Sequence, residues 1–167
     1  LEFEYAGESY TSASIAIGGS GAAGAASASF ANGAVKYIKV TANGSTHFTT
    51  SGYAQSGTSS TIKLAASDSQ PDDFYNGMRI TVYTGTGYGN TGVIADYVAS
   101  TKTASVQKEN GTAGFDVFVN SGLSAATSFD TTSGYEIEPR VAISGGGSPS
   151  RNALARAVVE NQQVSKI

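Results

Sequence analysis

The chain contains no cysteine and no tryptophan, one methionine, one histidine and three prolines, and charged residues make up only 14% of it. Without cysteine there is no disulfide staple and no thiolate metal site, although the compartment stays open. A single histidine, His47, leaves any Ser-His-Asp arrangement with one possible base. It also leaves a zinc site without its usual ligands. No apolar run approaches the ~20 residues of a membrane-spanning helix, and no basic cluster exists to neutralise phosphates. Membrane insertion and nucleic-acid binding are therefore not expected. Net charge is −3, and Leu rather than Met stands first, so a cut or processed piece is expected.

In place of these residues the chain has alanine, serine, glycine and threonine, which together supply 85 of its 167 residues. Cores built from such side chains are thin. Nine tyrosines and seven phenylalanines nevertheless recur along the chain, and with so little net charge ordered structure is expected over disorder.

The periodicity is that of strands. Leu1, Phe3 and Tyr5 alternate with Glu2 and Glu4, and Val35, Tyr37 and Lys39 alternate with Lys36, Ile38 and Val40. Further strands are expected at 14–17, 26–30, 61–65, 78–84, 93–98, 103–108, 115–119 and 135–138. Asn-Gly pairs at Asn32, Asn43, Asn76 and Asn110 supply turn chemistry between segments and point to antiparallel hairpins. The fold class expected is all-β, an elongated series of tandem small antiparallel modules.

One stretch contests this. Asn152-Ala-Leu-Ala-Arg-Ala-Val-Val-Glu160 reads locally as a capped helix. An internal repeat argues otherwise. Ala13-Ser-Ile-Ala-Ile-Gly-Gly returns as Pro139-Arg-Val-Ala-Ile-Ser-Gly, and the segment Ala26 to Ile38 returns as Ala155 to Ile167. Equivalent units fold alike, so 153–159 is expected to be a strand. Leu1 to Ser12 also fits the slot that Lys39 to Thr50 fills after the first copy, so Leu1 follows Ile167 in pattern. Three segments are expected: a Gly/Ala-rich repeat over 1–57, a central β module over 58–138, and the start of a second repeat over 139–167.

The string Gly7-Glu-Ser-Tyr-Thr-Ser-Ala-Ser-Ile-Ala-Ile-Gly-Gly-Ser-Gly-Ala-Ala-Gly-Ala25, followed by Asn32-Gly-Ala-Val-Lys-Tyr-Ile-Lys-Val40, resembles repeats in large virion proteins of tailed phages, particularly T4-like cyanophages. The block Phe74 to Val106 is similar to a β module of phage tail, baseplate and fibre proteins. The chain departs from the usual pattern at Glu8, Ser9 and Ser14. The resemblance implies a virion structural role, in the particle or another extracellular assembly. It also implies partners that are other copies of the chain and other virion subunits. It transfers no catalytic residue and no cofactor.

The loop Thr84-Gly-Thr-Gly-Tyr-Gly-Asn90 invites a phosphate-binding reading, but no lysine sits beside it and a strand is expected to follow, so a bulged hairpin loop is the better reading. Asp68, Asp72 and Asp73 gather around Pro71, where a structural turn is favoured, with calcium binding and then acid catalysis as alternatives. Glu2 with Glu4, and Glu136 with Glu138, share strand faces expected to be exposed. Tyr83, Tyr88, Tyr97, Phe115, Phe118 and Phe129 are read as core in preference to a sugar-stacking surface. No catalytic, cofactor-binding or metal site is expected beyond the calcium candidate. The leading function is that of a structural virion component acting by self-assembly. The alternative is a glycan- or receptor-binding module presented to a host surface.

Overall fold

A computed structural model describes residues 3–5, 9–18, 25–42, 49–117, 123–145, 154–155, 157–160 and 163–167. The chain divides into two compact units, one formed by 1–48 with 138–167 and the other by 49–137. In chain order, unit 1 begins with β1 (Phe3–Tyr5), β2 (Ser14–Gly18), β3 (Ala25–Ala31) and β4 (Ala34–Ala42). Unit 2 follows with β5 (Thr50–Tyr53), β6 (Ser56–Thr58), β7 (Thr61–Lys63), β8 (Arg79–Thr84), β9 (Asn90–Val98), β10 (Thr103–Gln107), β11 (Asp116–Val117), β12 (Ser128–Phe129) and β13 (Gly134–Glu138). Unit 1 is completed by β14 (Arg140–Ser144), β15 (Leu154–Ala155), β16 (Val158–Glu160) and β17 (Gln163–Lys166). The ladders among the described residues are antiparallel, and these residues contain no helix. The protein is all-β.

Unit 1 contains the sequence repeat as a structural duplication. In copy one, β3 and β4 meet at a turn whose residues Asn32 and Gly33 have φ of 52° and 74°, both positive as a two-residue hairpin of type I′ requires. The pairs nearest the turn are Ser29 with Tyr37, Phe30 with Val35 and Ala31 with Ala34, with a bulge between Ser29 and Phe30. In copy two the pairs are Val158 with Lys166, Val159 with Val164 and Glu160 with Gln163, with the bulge between Val158 and Val159. Each is the counterpart of a pair in copy one, bulge included. The segment 153–159 is thus extended where described, in spite of its helix-favouring residues. Propensity differences of a few tenths of a kcal/mol per residue are smaller than the ~1.5–3 kcal/mol from burying one Ile or Val.

The core of unit 1 follows the same duplication. Ile17 and Ile143 are counterparts and both are buried, as are Ile38 and Ile167. Ala28 and Ala157 are likewise counterparts, and both touch this cluster. The four-stranded sheet runs β14-β2-β3-β4, so the first strands of the two copies are neighbours.

Unit 2 holds the larger side chains. Ile62, Leu64, Tyr75, Met78, Ile80, Ile94, Tyr97, Phe115, Tyr135 and Ile137 are essentially inaccessible. Tyr75 and Tyr97 meet edge-on at 4.9 Å, and Phe115 and Phe129 pack at 4.7 Å. Its sheet runs β12-β6-β7-β10-β9-β8-β13-β5, with β11 paired to β9. At one end β5 and β13 pair from Thr50 with Ile137 to Tyr53 with Gly134, so the two ends of the unit leave side by side. The compact boundary accordingly falls at Thr49 and not near Gly57. Residues 50–58 pair with the central block because β5 needs β13, and β6 needs β7 and β12. Likewise 139–167 closes with 1–48 as one unit, since β14 pairs with β2.

Candidate functional site

The loop from β8 to β9 is a tight hairpin connection. Gly85, Gly87 and Gly89 have φ of 71°, 80° and 83°. A side chain at Gly85 would also collide with the Thr132 carbonyl, 1.9 Å from where a Cβ would lie, so glycine lets the two segments touch. The loop amides are committed internally: Tyr88 N–H bonds to the Gly85 carbonyl, Gly89 N–H to Val82 and Asn90 N–H to Gly87. A strand follows, so no helix N-terminus stands behind these amides to hold a phosphate.

A polar clamp fixes the loop to residues 130–133. The Asp130 carboxylate accepts from the Thr86 hydroxyl at 2.7 Å and from the Thr132 hydroxyl and amide at 2.6 and 2.8 Å. Ser133 Oγ donates to the Thr86 carbonyl at 2.7 Å. These bonds, Thr132's first and then Thr86's, hold the Asp130 carboxyl below its ordinary 3.8. Asn90, buried, spans the gap by donating to the Gly87 carbonyl and accepting from Ala126 N–H. Beside this clamp lies an open cleft of about 420 Å³ lined by Thr86, Tyr88, Leu123, Thr127 and Ser128 among others. The Tyr88 ring is 58% exposed and Leu123 42%.

The three aspartates around Pro71 fall in separate turns, Asp68 closing one from Ala65 and Asp72 and Asp73 lying in those that follow Pro71, and they serve separate tasks. Asp68 accepts from the Tyr97 hydroxyl at 2.5 Å, from the Tyr75 hydroxyl at 2.6 Å and from Gln70 N–H. Lys102 Nζ donates to the Asp68 backbone carbonyl. Asp72 accepts from Ala99 N–H at 2.7 Å, and Asp73, at φ 65°, accepts from the Asn76 side chain at 2.8 Å. Burial, then the hydrogen bond to Asp68, pushes both the Tyr75 and Tyr97 phenols well above their usual 10. Burial also raises Tyr135, whose hydroxyl accepts from Ala65 N–H. The cluster ties three buried tyrosines to one turn. Among the described residues no group of three or more His, Asp or Glu is arranged to hold a metal ion.

The remaining candidates divide. Tyr97, Phe115 and Phe129 lie in the core, whereas Tyr83 and Tyr88 are exposed at 44% and 58%, so the aromatic set is part core and part surface. Glu136 is half-buried, and Glu138 is only 3% exposed. The strand face expected to carry exposed acids is thus covered at Glu138, which ends a strand buried at four of its five positions. His47, Phe118, Asn43 and Glu2 lie outside the described residues.

The two ends of the described chain meet in one ladder. β1 pairs with β15, Phe3 facing Ala155 and Tyr5 facing Leu154. In copy one the corresponding partners are Val40 facing Ala26 and Ala42 facing Ala25. β1 thus fills in copy two the place that the continuation of β4 fills in copy one. The expected match of Leu1 with Lys39 is displaced by one residue, because strand pairing with period two aligns the apolar alternation of Phe3 and Tyr5 with Val40 and Ala42. No family model, curated protein or solved structure matches the chain.

Proposed function

We propose that the chain is a structural component of a tailed-phage virion, a tail, baseplate or fibre segment that acts by assembling with copies of itself and with other virion subunits. The observation that carries this reading is the duplicated hairpin of unit 1, whose second copy takes its outermost strand from the opposite end of the chain. Repeats that share strands gain a core by stacking, and an array of them extends by the same contacts. The small side chains of unit 1 would let the sheets of neighbouring copies approach closely. The virion location and the elongated form rest on the resemblance of Gly7–Ala25 and Phe74–Val106 to phage repeats. Electron microscopy of the concentrated chain, run beside a hydrolysis assay on capsule and lipopolysaccharide, tests the reading. Regular oligomers without sugar release are expected. Monomeric particles, or turnover of a glycan, would displace it.

A second reading has its own observation. The cleft beside Tyr88 offers an exposed ring and a hydroxyl-bearing rim, the features with which a neutral sugar is stacked and hydrogen-bonded. Calorimetric titration with host-surface glycans, comparing the native chain with Tyr88→Ala, decides whether unit 2 binds one. Saturable heat lost in the variant would establish it, and no heat with the native chain would remove it.

A further inference from the structure

We propose that the slot beside β15 is a strand-exchange site whose occupant, in the assembled state, is β1 of a second copy of this chain. This rests on the assembly reading above and names the contact that carries it.

The slot has a defined shape in copy one. There Ala25 and Ala26 are covered by Ala42 and Val40, residues continuous with the hairpin strand itself, and the ladder skips one residue between them. In copy two Leu154 and Ala155 are paired with Tyr5 and Phe3, with the same skipped residue. The slot therefore accepts a strand with no local connection to the hairpin. The chain supplying it comes from the other end of the sequence, the longest separation of any ladder among the described residues.

Such an arrangement is suited to exchange. A strand contributed by a second copy makes the same backbone bonds and the same contacts as the chain's own strand, so the two states differ mainly in effective concentration. β1 is short and has two paired positions, with a register shift between them. Beyond it, Tyr10 anchors the chain, buried and bonded through its amide to the Gly33 carbonyl at 2.8 Å. Ser9, immediately before that anchor, has φ 59°, a left-handed conformation that strains a residue other than glycine. A strained bend between an anchor and a strand held by two pairs favours the extended, exchanged form, in which the bend opens. The five peptide units from Tyr5 to Tyr10 reach at most ~18 Å, so exchange places the Tyr10 anchor of one copy within that distance of the acceptor slot of the next. The product is a close contact between copies through unit 1, with every ladder bond of the single chain retained.

Because the protein has no cysteine, the exchange can be trapped. Chains carrying Phe3→Cys are mixed with differently tagged chains carrying Ala155→Cys and oxidised at rising protein concentration, and Phe3→Cys with Thr112→Cys measures random collision. Light scattering on the native chain runs alongside. The proposal expects the mixed disulfide of Phe3→Cys with Ala155→Cys at about tenfold or more over the collision pair, growing with concentration toward the ~1 mM effective concentration of a short tether. Circular dichroism verifies that each variant is folded. If Ala155→Cys does not fold, Tyr5→Cys with Leu154→Cys repeats the test on the second ladder pair. Association by light scattering with cross-linking only at the collision level overturns the exchange and leaves assembly standing. Absence of association at ~1 mM overturns both.

Discussion

Ala16 and Ala142, which hold the same place in the two copies of the repeat, face each other directly across β2 and β14. Ile15 then faces Ile143, the counterpart of Ile17, and Ile17 faces Val141, the counterpart of Ile15, so the pairing is symmetric about Ala16 and Ala142. An antiparallel ladder centred on equivalent residues is what a local two-fold relation between two copies produces. The duplication is therefore a property of the packing and not of the sequence alone.

Equivalent core positions should carry equivalent energies. Ile17→Ala and Ile143→Ala each remove a buried side chain from the same cluster, and each is expected to cost ~2–4 kcal/mol. Denaturant unfolding of the two variants should give values within about 1 kcal/mol of each other, inside the spread of cavity costs at fixed chemistry. A large effect at one position with almost none at the other would show that the copies do not share a core.

Unit 2 should fold alone. Its ends leave as the paired strands β5 and β13, and its buried aromatics lie within residues 49–137. A chain of those residues is expected to melt cooperatively as a monomer with dispersed amide resonances. A collapsed spectrum without dispersion would contradict the independence of the unit.

Asp68 is expected to matter more than its neighbours. Asp68→Ala leaves two buried tyrosine hydroxyls without their acceptor, and at ~1.5–3 kcal/mol per hydrogen bond to a charged group the loss should be about 3 kcal/mol or more. Asp73→Gly, which removes one exposed contact to Asn76 and suits the positive φ of that position, should cost under ~1 kcal/mol. Thermal melts measure both. The same melts with added calcium should be unshifted, since the three carboxylates are turned to separate donors. A rise in midpoint with calcium would reinstate a metal site there.

The Asp130 clamp sets a pH dependence. Its carboxyl titrates below 3.8 in the folded chain, so its contribution is complete above 3.8 and is lost as pH falls through the lower, folded value. Amide resonances of Thr86 and Thr132 should move together in that acid range, and Asp130→Asn should abolish the transition. A midpoint at or above 3.8 would contradict the clamp.

Much of this fold was legible, and the reasons are local. The Asn32-Gly33 turn, the alternation over 35–40 and the repeat carry their own signals, and the repeat outweighed helix propensity at 154–160 because counterpart residues occupy counterpart ladder positions. β5, β6 and β12 were not legible. Thr50-Ser-Gly-Tyr53 and Ser56-Gly-Thr58 lack apolar alternation, and their strand character comes from partners distant in sequence. Gly57, for example, lies under the Phe129 ring, where a Cβ would come within 2.8 Å of it. The carboxylate of Asp68 reads as turn chemistry in sequence, and its tie to Tyr97 exists only once β9 is folded against the turn. The burial of Glu138 and the division of the aromatics into core and surface likewise depend on which strands become neighbours.

The central claim is that the chain works by associating with itself. Sedimentation equilibrium of the full chain over a wide concentration range tests it most directly. Self-association predicts an average mass that rises continuously with concentration from the 16.9 kDa of one chain toward an integral multiple of it. A single 16.9 kDa species at every concentration up to ~1 mM would contradict it.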